Sequence, residues 1–238
     1  MHITSRFGVL SGIKKEIIRI YIQVMPKFKK ILLLLIFLFE IGGICFAQTT
    51  LGTGLLSVDF DGNTIVSFYN KPTDKLPIKT VEFFNDLRID SWNIKNLKAQ
   101  KEWLNPEVLW LDYSPLVFRV KSKTDQGFQI IVNNKTNQTY WVKRNQSMTF
   151  LTWETFLKNM FSVARPNISD QKIRKLPIEN AEQINYKGKD CFQVKSMKGD
   201  WIEIFTADNC DQSKTKLKTG WLKWRQGNKL LIKYFITS

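Results

Sequence analysis

The sequence predicts a mainly β chain, two small β-barrel modules joined by one helix, behind an N-terminal export segment. Three observations carry this reading. Lysines followed by an apolar run open the chain, a pattern of alternating apolar and polar residues occurs twice, and one mature segment has clear helical spacing. The 238 residues, 43% hydrophobic and 24% charged, exclude a disordered, collagenous or multi-span membrane chain. His2 is the only histidine and there are three cysteines, which argues against histidine-based catalysis and histidine-rich metal sites.

Lys27, Lys29 and Lys30 precede the apolar run Ile31 to Phe39, which ends in Gly42-Gly43-Ile44-Cys45-Phe46-Ala47-Gln48. That order reads as a secretory signal cleaved between Ala47 and Gln48. The 17 residues from Ile31 to Ala47, interrupted by Glu40, fall short of the roughly 20 that a spanning helix needs. A retained anchor is the alternative. Cys45 follows Ile44 rather than a small residue, unlike a lipid-anchored cysteine. Met25 offers a conventional start for the signal, with residues 1–24 upstream of it, so Met1 and Met25 both stand as starts. Residues 1–47 are set outside the fold.

Those residues hold seven of the 36 Lys and Arg and two of the 21 Asp and Glu, so the mature chain keeps 29 against 19, a net charge of +10. In an exported protein, periplasmic or extracellular, such charge points to anionic envelope polymers, lipid headgroups or acidic proteins rather than nucleic acid. Contact with a membrane is expected only through the signal. Cys191 and Cys210 remain as an even pair in an oxidising compartment, and a disulfide between them would contribute about 3 kcal/mol.

The chain repeats itself. Val117-Phe118-Arg119-Val120-Lys121-Ser122 matches Cys191-Phe192-Gln193-Val194-Lys195-Ser196. Gly127-Phe128-Gln129-Ile130-Ile131 then corresponds to Asp200-Trp201-Ile202-Glu203-Ile204, Tyr140-Trp141-Val142-Lys143 to Gly220-Trp221-Leu222-Lys223, and Phe150-Leu151 to Leu230-Leu231. Upstream, Lys75-Leu76-Pro77-Ile78 reappears as Lys175-Leu176-Pro177-Ile178. Two homologous β modules follow, 50–164 and 170–238. The first carries an insertion near 83–113, whose Trp92, Trp103 and Trp110 are expected to pack on the barrel. Trp153, Phe156, Leu157, Met160 and Phe161 define the inter-module helix, and Arg165 to Asp170 the boundary. Leu55 to Phe60 and Thr64 to Tyr69 flank Asp61-Gly62, a hairpin signal.

Gly199-Asp200-Trp201-Ile202-Glu203-Ile204 with Gly220-Trp221-Leu222-Lys223 resembles the bacterial Src-homology-3-like family, where a G-x-W-x-x-V strand precedes a G-W-V strand. The resemblance covers 172–238 and extends to the first module only loosely, with Phe128 for the first tryptophan and Tyr140 for the glycine. It implies a strongly bent β-barrel that commonly binds cell-wall peptides or serves as an interaction domain of secreted proteins. Lys172 to Ile178 keeps only the proline of the family's opening L-N-V-R-x-G-P pattern.

For ligand contact the sequence singles out Trp224, Arg225 and Tyr234, an indole beside a guanidinium expected on the exposed strand face, and the basic run Lys214, Lys216 and Lys218. Trp201 and Trp221 are assigned to the core. Asp59-Phe60-Asp61-Gly62-Asn63 lacks the ligands of a calcium loop and reads as a turn. Sequons at Asn134, Asn137, Asn145 and Asn167 would matter only in a eukaryotic secretory route. Catalytic motifs are absent, and the three carboxylates Glu82, Asp86 and Asp90, spaced for one helical face, are the remaining source of an acid pair for a hydrolase. The expectation is a non-enzymatic binding module without cofactor or metal, recognising an envelope peptide, glycan or protein of anionic character. A structural or assembly subunit is the alternative, and an unrecognised hydrolase the second.

Overall fold

The computed structural model describes residues 50–113, 115–207 and 215–237. The signal segment, Lys214 and Cys210 lie outside the described residues. In chain order the elements are β1 (Gly54–Val58), β2 (Ile65–Phe68), β3 (Lys79–Asp86), β4 (Ser91–Ile94), helix α1 (Leu97–Gln100), β5 (Val108–Leu109) and a 3-10 turn at Leu111–Tyr113. Next come β6 (Leu116–Lys123), β7 (Gly127–Asn133), β8 (Gln138–Lys143), β9 (Met148–Leu151), helix α2 (Trp153–Lys158) and β10 (Ser162–Ala164). The chain closes with β11 (Ile173–Arg174), β12 (Gln183–Ile184), β13 (Phe192–Lys198), β14 (Trp201–Thr206), β15 (Gly220–Lys223), β16 (Arg225–Gln226), β17 (Lys229–Leu230) and β18 (Lys233–Phe235). The protein is mainly β, as expected.

Two sheets share one strand order. The first runs β8-β7-β6-β1-β9, with β5 added on β6; the second runs β15-β14-β13-β10-β18 and continues past β15 into β11 and β12. Even the irregularities recur, since β6 shifts register between Val120 and Ser122 and β13 between Val194 and Ser196. A bulge bends its strand and raises the twist, which curls each sheet at the same place. Beside each bulge a polar group is clamped in the same way. Ser122 Oγ donates to Gln129 Oε1 (3.1 Å), whose amide donates to Thr139. In the second sheet Ser196 and Thr219 hydroxyls donate to the Glu203 carboxylate (2.8 and 2.9 Å). The Ser196 bond, helped by Thr219 and Lys195 against the opposing effect of burial, holds the Glu203 carboxyl below its ordinary range.

The ladder corrects parts of the repeat. Phe118 and Phe192 are equivalent, and through them Val120 pairs with Ile130 as Val194 pairs with Ile204. Phe128 therefore corresponds to Ile202, and Gly127 to Trp201, one residue away from the match of aromatic with aromatic. Likewise β18, not Leu230-Leu231, completes the second sheet: Leu56 faces Phe150 where Val163 faces Tyr234. The difference is an added β16-β17 hairpin, turned at Gly227 with φ 57°. Asp61-Gly62 makes a turn, Asp61 accepting from Asn63 N and Thr64 Oγ1, but its flanking strands do not pair. β1 joins β6 and β9, whereas β2 joins β3.

Two apolar clusters fill the molecule. Leu56, Val58, Phe68, Phe118, Phe128 and Ile130 belong to the first sheet's own core. Leu55 and Val117, on the opposite faces of β1 and β6, join Trp153, Phe156, Val163, Phe192, Ile202 and Trp224 in the other. β1 and the first half of β6 are buried on both faces, which explains the consecutive apolar residues Leu55-Leu56 and Leu116-Val117-Phe118. α2 sits at this junction. Thr152 Oγ1 caps it by accepting from Thr155 N, and Trp153 Nε1 donates to Leu51 O (3.1 Å). It is shorter than the spacing predicted, ending at Lys158, and Ser162–Ala164 already pairs within the second sheet. Trp92 and Trp103 pack on the first core and Trp110 on the shared one.

The two K-L-P-I segments occupy matching hairpin loops, between β2 and β3 and between β11 and β12. Their Leu76, Ile78, Leu176 and Ile178 all point into solvent. A third hairpin, β3-β4, displays Leu87 and Ile89 at its tip.

Candidate functional site

The second sheet carries a crevice of about 210 Å³ lined by Asp170, Gln171, Lys172, Arg174, Glu179, Trp201, Leu222, Lys223, Gln226 and Leu231. Its construction follows from the strand period. Gly220 and Leu222 of β15 and Trp224 just after it face inward, so Trp221, expected in the core, instead points outward with Lys223. Gly220 is required there, because a Cβ would stand 2.5 Å from Ile173 Cγ2. Trp201, opposite Lys223, is only 8% exposed and forms the floor. The walls come from 170–179: Arg174 Nη1 donates to Ala181 O (2.9 Å), Lys223 Nζ pairs with Glu179, and Gln171 Nε2 donates to Leu231 O. Behind them Arg165 and Asp190, both buried, form a two-point ion pair (2.7 Å on each side). The result is an indole floor ringed by cations of Lys172, Arg174 and Lys223 and carboxylates of Asp170 and Glu179.

The first sheet is built differently at the corresponding place. Tyr69 faces Trp141 as Arg174 faces Trp221, but Gly127 stands where Trp201 would form a floor. Lys143, the counterpart of Lys223, folds over the Tyr69 ring (4.4 Å) and donates to Asp74 O (2.7 Å). That lysine and ring fill the place of the crevice.

The residues expected from sequence fall elsewhere. Trp224 is 1% exposed, packs on Trp153 with centroids 5.5 Å apart, and donates from Nε1 to Gly199 O. Reading it as an exposed platform is therefore wrong; the face carrying Gly220 and Leu222 is the inward one. Arg225 covers the Trp224 ring at 5.0 Å while bonded to Asp200, so it serves packing. Tyr234 lies in a separate open groove with Glu107, Trp110 and Phe235, donating to Glu107 Oε1 (2.6 Å). Lys216 and Lys218 flank buried Leu217 and do not line the crevice. Cys191 precedes β13, and its expected partner Cys210 is outside the described residues.

Glu82, Asp86 and Asp90 are not on a helix. Glu82 and Asp86 sit in β3, and Asp90 in the turn after it. Asp86 is consumed in that turn, accepting from Arg88 Nε (2.9 Å) and Nη2 (2.8 Å) and Asn93 Nδ2 (3.0 Å), bonds that hold its carboxyl far below the usual range. No group of three His, Cys, Asp or Glu among the described residues is placed to hold a metal ion.

Sequence reasoning missed Lys172, Arg174, Glu179 and Lys223. One signal was available: Lys223 alternates with Leu222 beside the family-like motif, so it must point away from the core. No family model, curated protein or solved structure matches this chain.

Proposed function

We propose that the chain is an exported, non-enzymatic recognition protein of the cell envelope, built on two Src-homology-3-like barrels of which the second binds ligand. The observation that carries this reading is the crevice over Trp201, with positive and negative groups around an aromatic floor. At about 210 Å³ it is smaller than the 300–1,000 Å³ of ordinary small-molecule pockets, so it suits one charged side chain or the end of a short peptide. Three cations against two carboxylates favour an anionic group. Pull-down with purified peptidoglycan, before and after removal of its stem peptides, tests it: binding is expected to need the peptides and to fall about tenfold in Lys172→Ala/Lys223→Ala, a loss of the size expected for a central charged contact. Retention by stripped glycan, or an unchanged double variant, would count against it.

The export reading is checked by the mass of the mature N-terminus, expected at Gln48. An intact Met1 or Met25 on a cytoplasmic protein would oppose it. Alkylation without reductant is expected to leave Cys191 and Cys210 unlabelled.

An assembly subunit is the second reading, favoured by the three hairpin tips. Ten large hydrophobic side chains are exposed among the described residues, and six of them are Leu76, Ile78, Leu87, Ile89, Leu176 and Ile178. Such concentration suggests contact with apolar surface. If this reading holds, Leu76→Ser/Leu176→Ser abolishes crosslinking to envelope proteins while peptidoglycan retention stays as in the parent.

A further inference from the structure

A third cavity, a cleft of about 360 Å³, lies between β3 and α1, at the start of the insertion. Lys79, Thr80, Asn96, Gln100, Glu102 and Trp103 line it. Trp103 is half-buried and fixed from behind by edge contacts to Phe68 (5.2 Å) and Tyr140 (6.0 Å). Lys79 Nζ stands over the indole at 5.0 Å and has no carboxylate partner among the described residues. Asn96 adopts φ 54° at the start of α1, yet its side chain does not cap the helix, leaving its amide at the cleft. Gln100 donates one amide hydrogen to Thr80 O (3.2 Å) and keeps its carbonyl oxygen available. Glu102 adds an exposed acceptor.

We infer that this cleft binds an acidic sugar. A pyranose presents an apolar C–H face that stacks on an indole, and a rim of hydroxyls that needs planar amides and carboxylates offering both donors and acceptors. Trp103 supplies the first; Asn96, Gln100 and Glu102 supply the second. Lys79 stands over the ring face, so its long side chain has to swing to the rim as the sugar stacks, and there its ammonium pairs with the sugar carboxylate. Lys98 and Lys101 at α1 raise the local positive potential, whereas Lys95 is paired with Glu82. The volume fits a sugar unit rather than a buried polymer, so a glycan chain would lie across the cleft. This site is independent of the crevice over Trp201.

The test uses the full chain and the disaccharide of N-acetylglucosamine and N-acetylmuramic acid, titrated calorimetrically beside its carboxyl-amidated form. The acid form is expected to bind more tightly than the amide. Asn96→Gly removes the amide without strain, because glycine accepts a positive φ, and should weaken binding about threefold or more. Trp103→Phe, keeping a ring for the core, should weaken it about tenfold. Lys172→Ala/Lys223→Ala should leave it unchanged, which separates failure here from failure of the peptide-binding reading. Absence of binding by the parent, equal affinity for acid and amide, or parental affinity in folded Asn96→Gly would each overturn the proposal.

Discussion

Glu107 accepts from three side chains: Arg119 (2.5 Å), Asn134 (2.7 Å) and Tyr234 (2.6 Å). Arg119 and Glu107 are both buried, so removing one charge strands the other. Glu107→Gln is expected to cost about 3–5 kcal/mol in urea unfolding, and Tyr234→Phe about 1–2 kcal/mol. Burial, then the Glu107 charge, pushes the Tyr234 hydroxyl far above its ordinary range. Its contribution is fully present below about pH 10 and declines as pH rises further, because the unfolded chain loses that proton while the folded chain keeps it, by about 1.4 kcal/mol per pH unit. Urea midpoints at pH 9 and 11 should fall further for the parent than for Tyr234→Phe. Asn134, one of the sequons, is committed to Glu107, so a glycan there would break the same cluster.

At the scale of the element, small residues and caps decide more than the aromatics that catch the eye. Gly220→Ala drives a methyl into Ile173 and is expected to cost about 1–3 kcal/mol, and Thr152→Ala about 1 kcal/mol through the lost cap, both read from thermal melts. The strands of the repeat were legible in sequence because alternation survives duplication. Their faces were not, since a slip of one residue inverts every side chain, and matching Phe128 to Trp201 made that slip. The same limit placed Trp224 outside: the signal against it was the alternation of Leu222 with Lys223, which Ile173 crowding Gly220 bears out. Glu82 and Asp86 fit a helical period because residues four apart also share one face of a strand, and Asp90 continued that spacing only by falling in the turn after β3.

For the whole molecule, the shared cluster joining Leu55, Val117 and Trp153 to Phe192 and Trp224 makes the two sheets mutually dependent. Calorimetry is expected to give a single transition with equal calorimetric and van't Hoff enthalpies; two resolved transitions would mean that the sheets stand alone. The sequence repeat announced two units but not this junction, because Leu55 and Val117 read as ordinary strand residues until both faces of β1 and β6 are seen to be covered. The crevice was hidden for a related reason: its walls arise from 170–179 and its floor from β14, segments brought together only by folding.

The pairing of β1 bears on how the chain comes into being. Leu56 meets Phe118 on one side and Phe150 on the other, so the first strand to emerge from a ribosome has no partner until residues far downstream have been made. At about 5–20 residues per second, the wait before β9 appears is of the order of 5–20 s. Contacts so distant in sequence also slow folding after release, to milliseconds or longer. In that interval β1 stays unpaired, while β2, β3 and β4, neighbours in sequence, can already join one another.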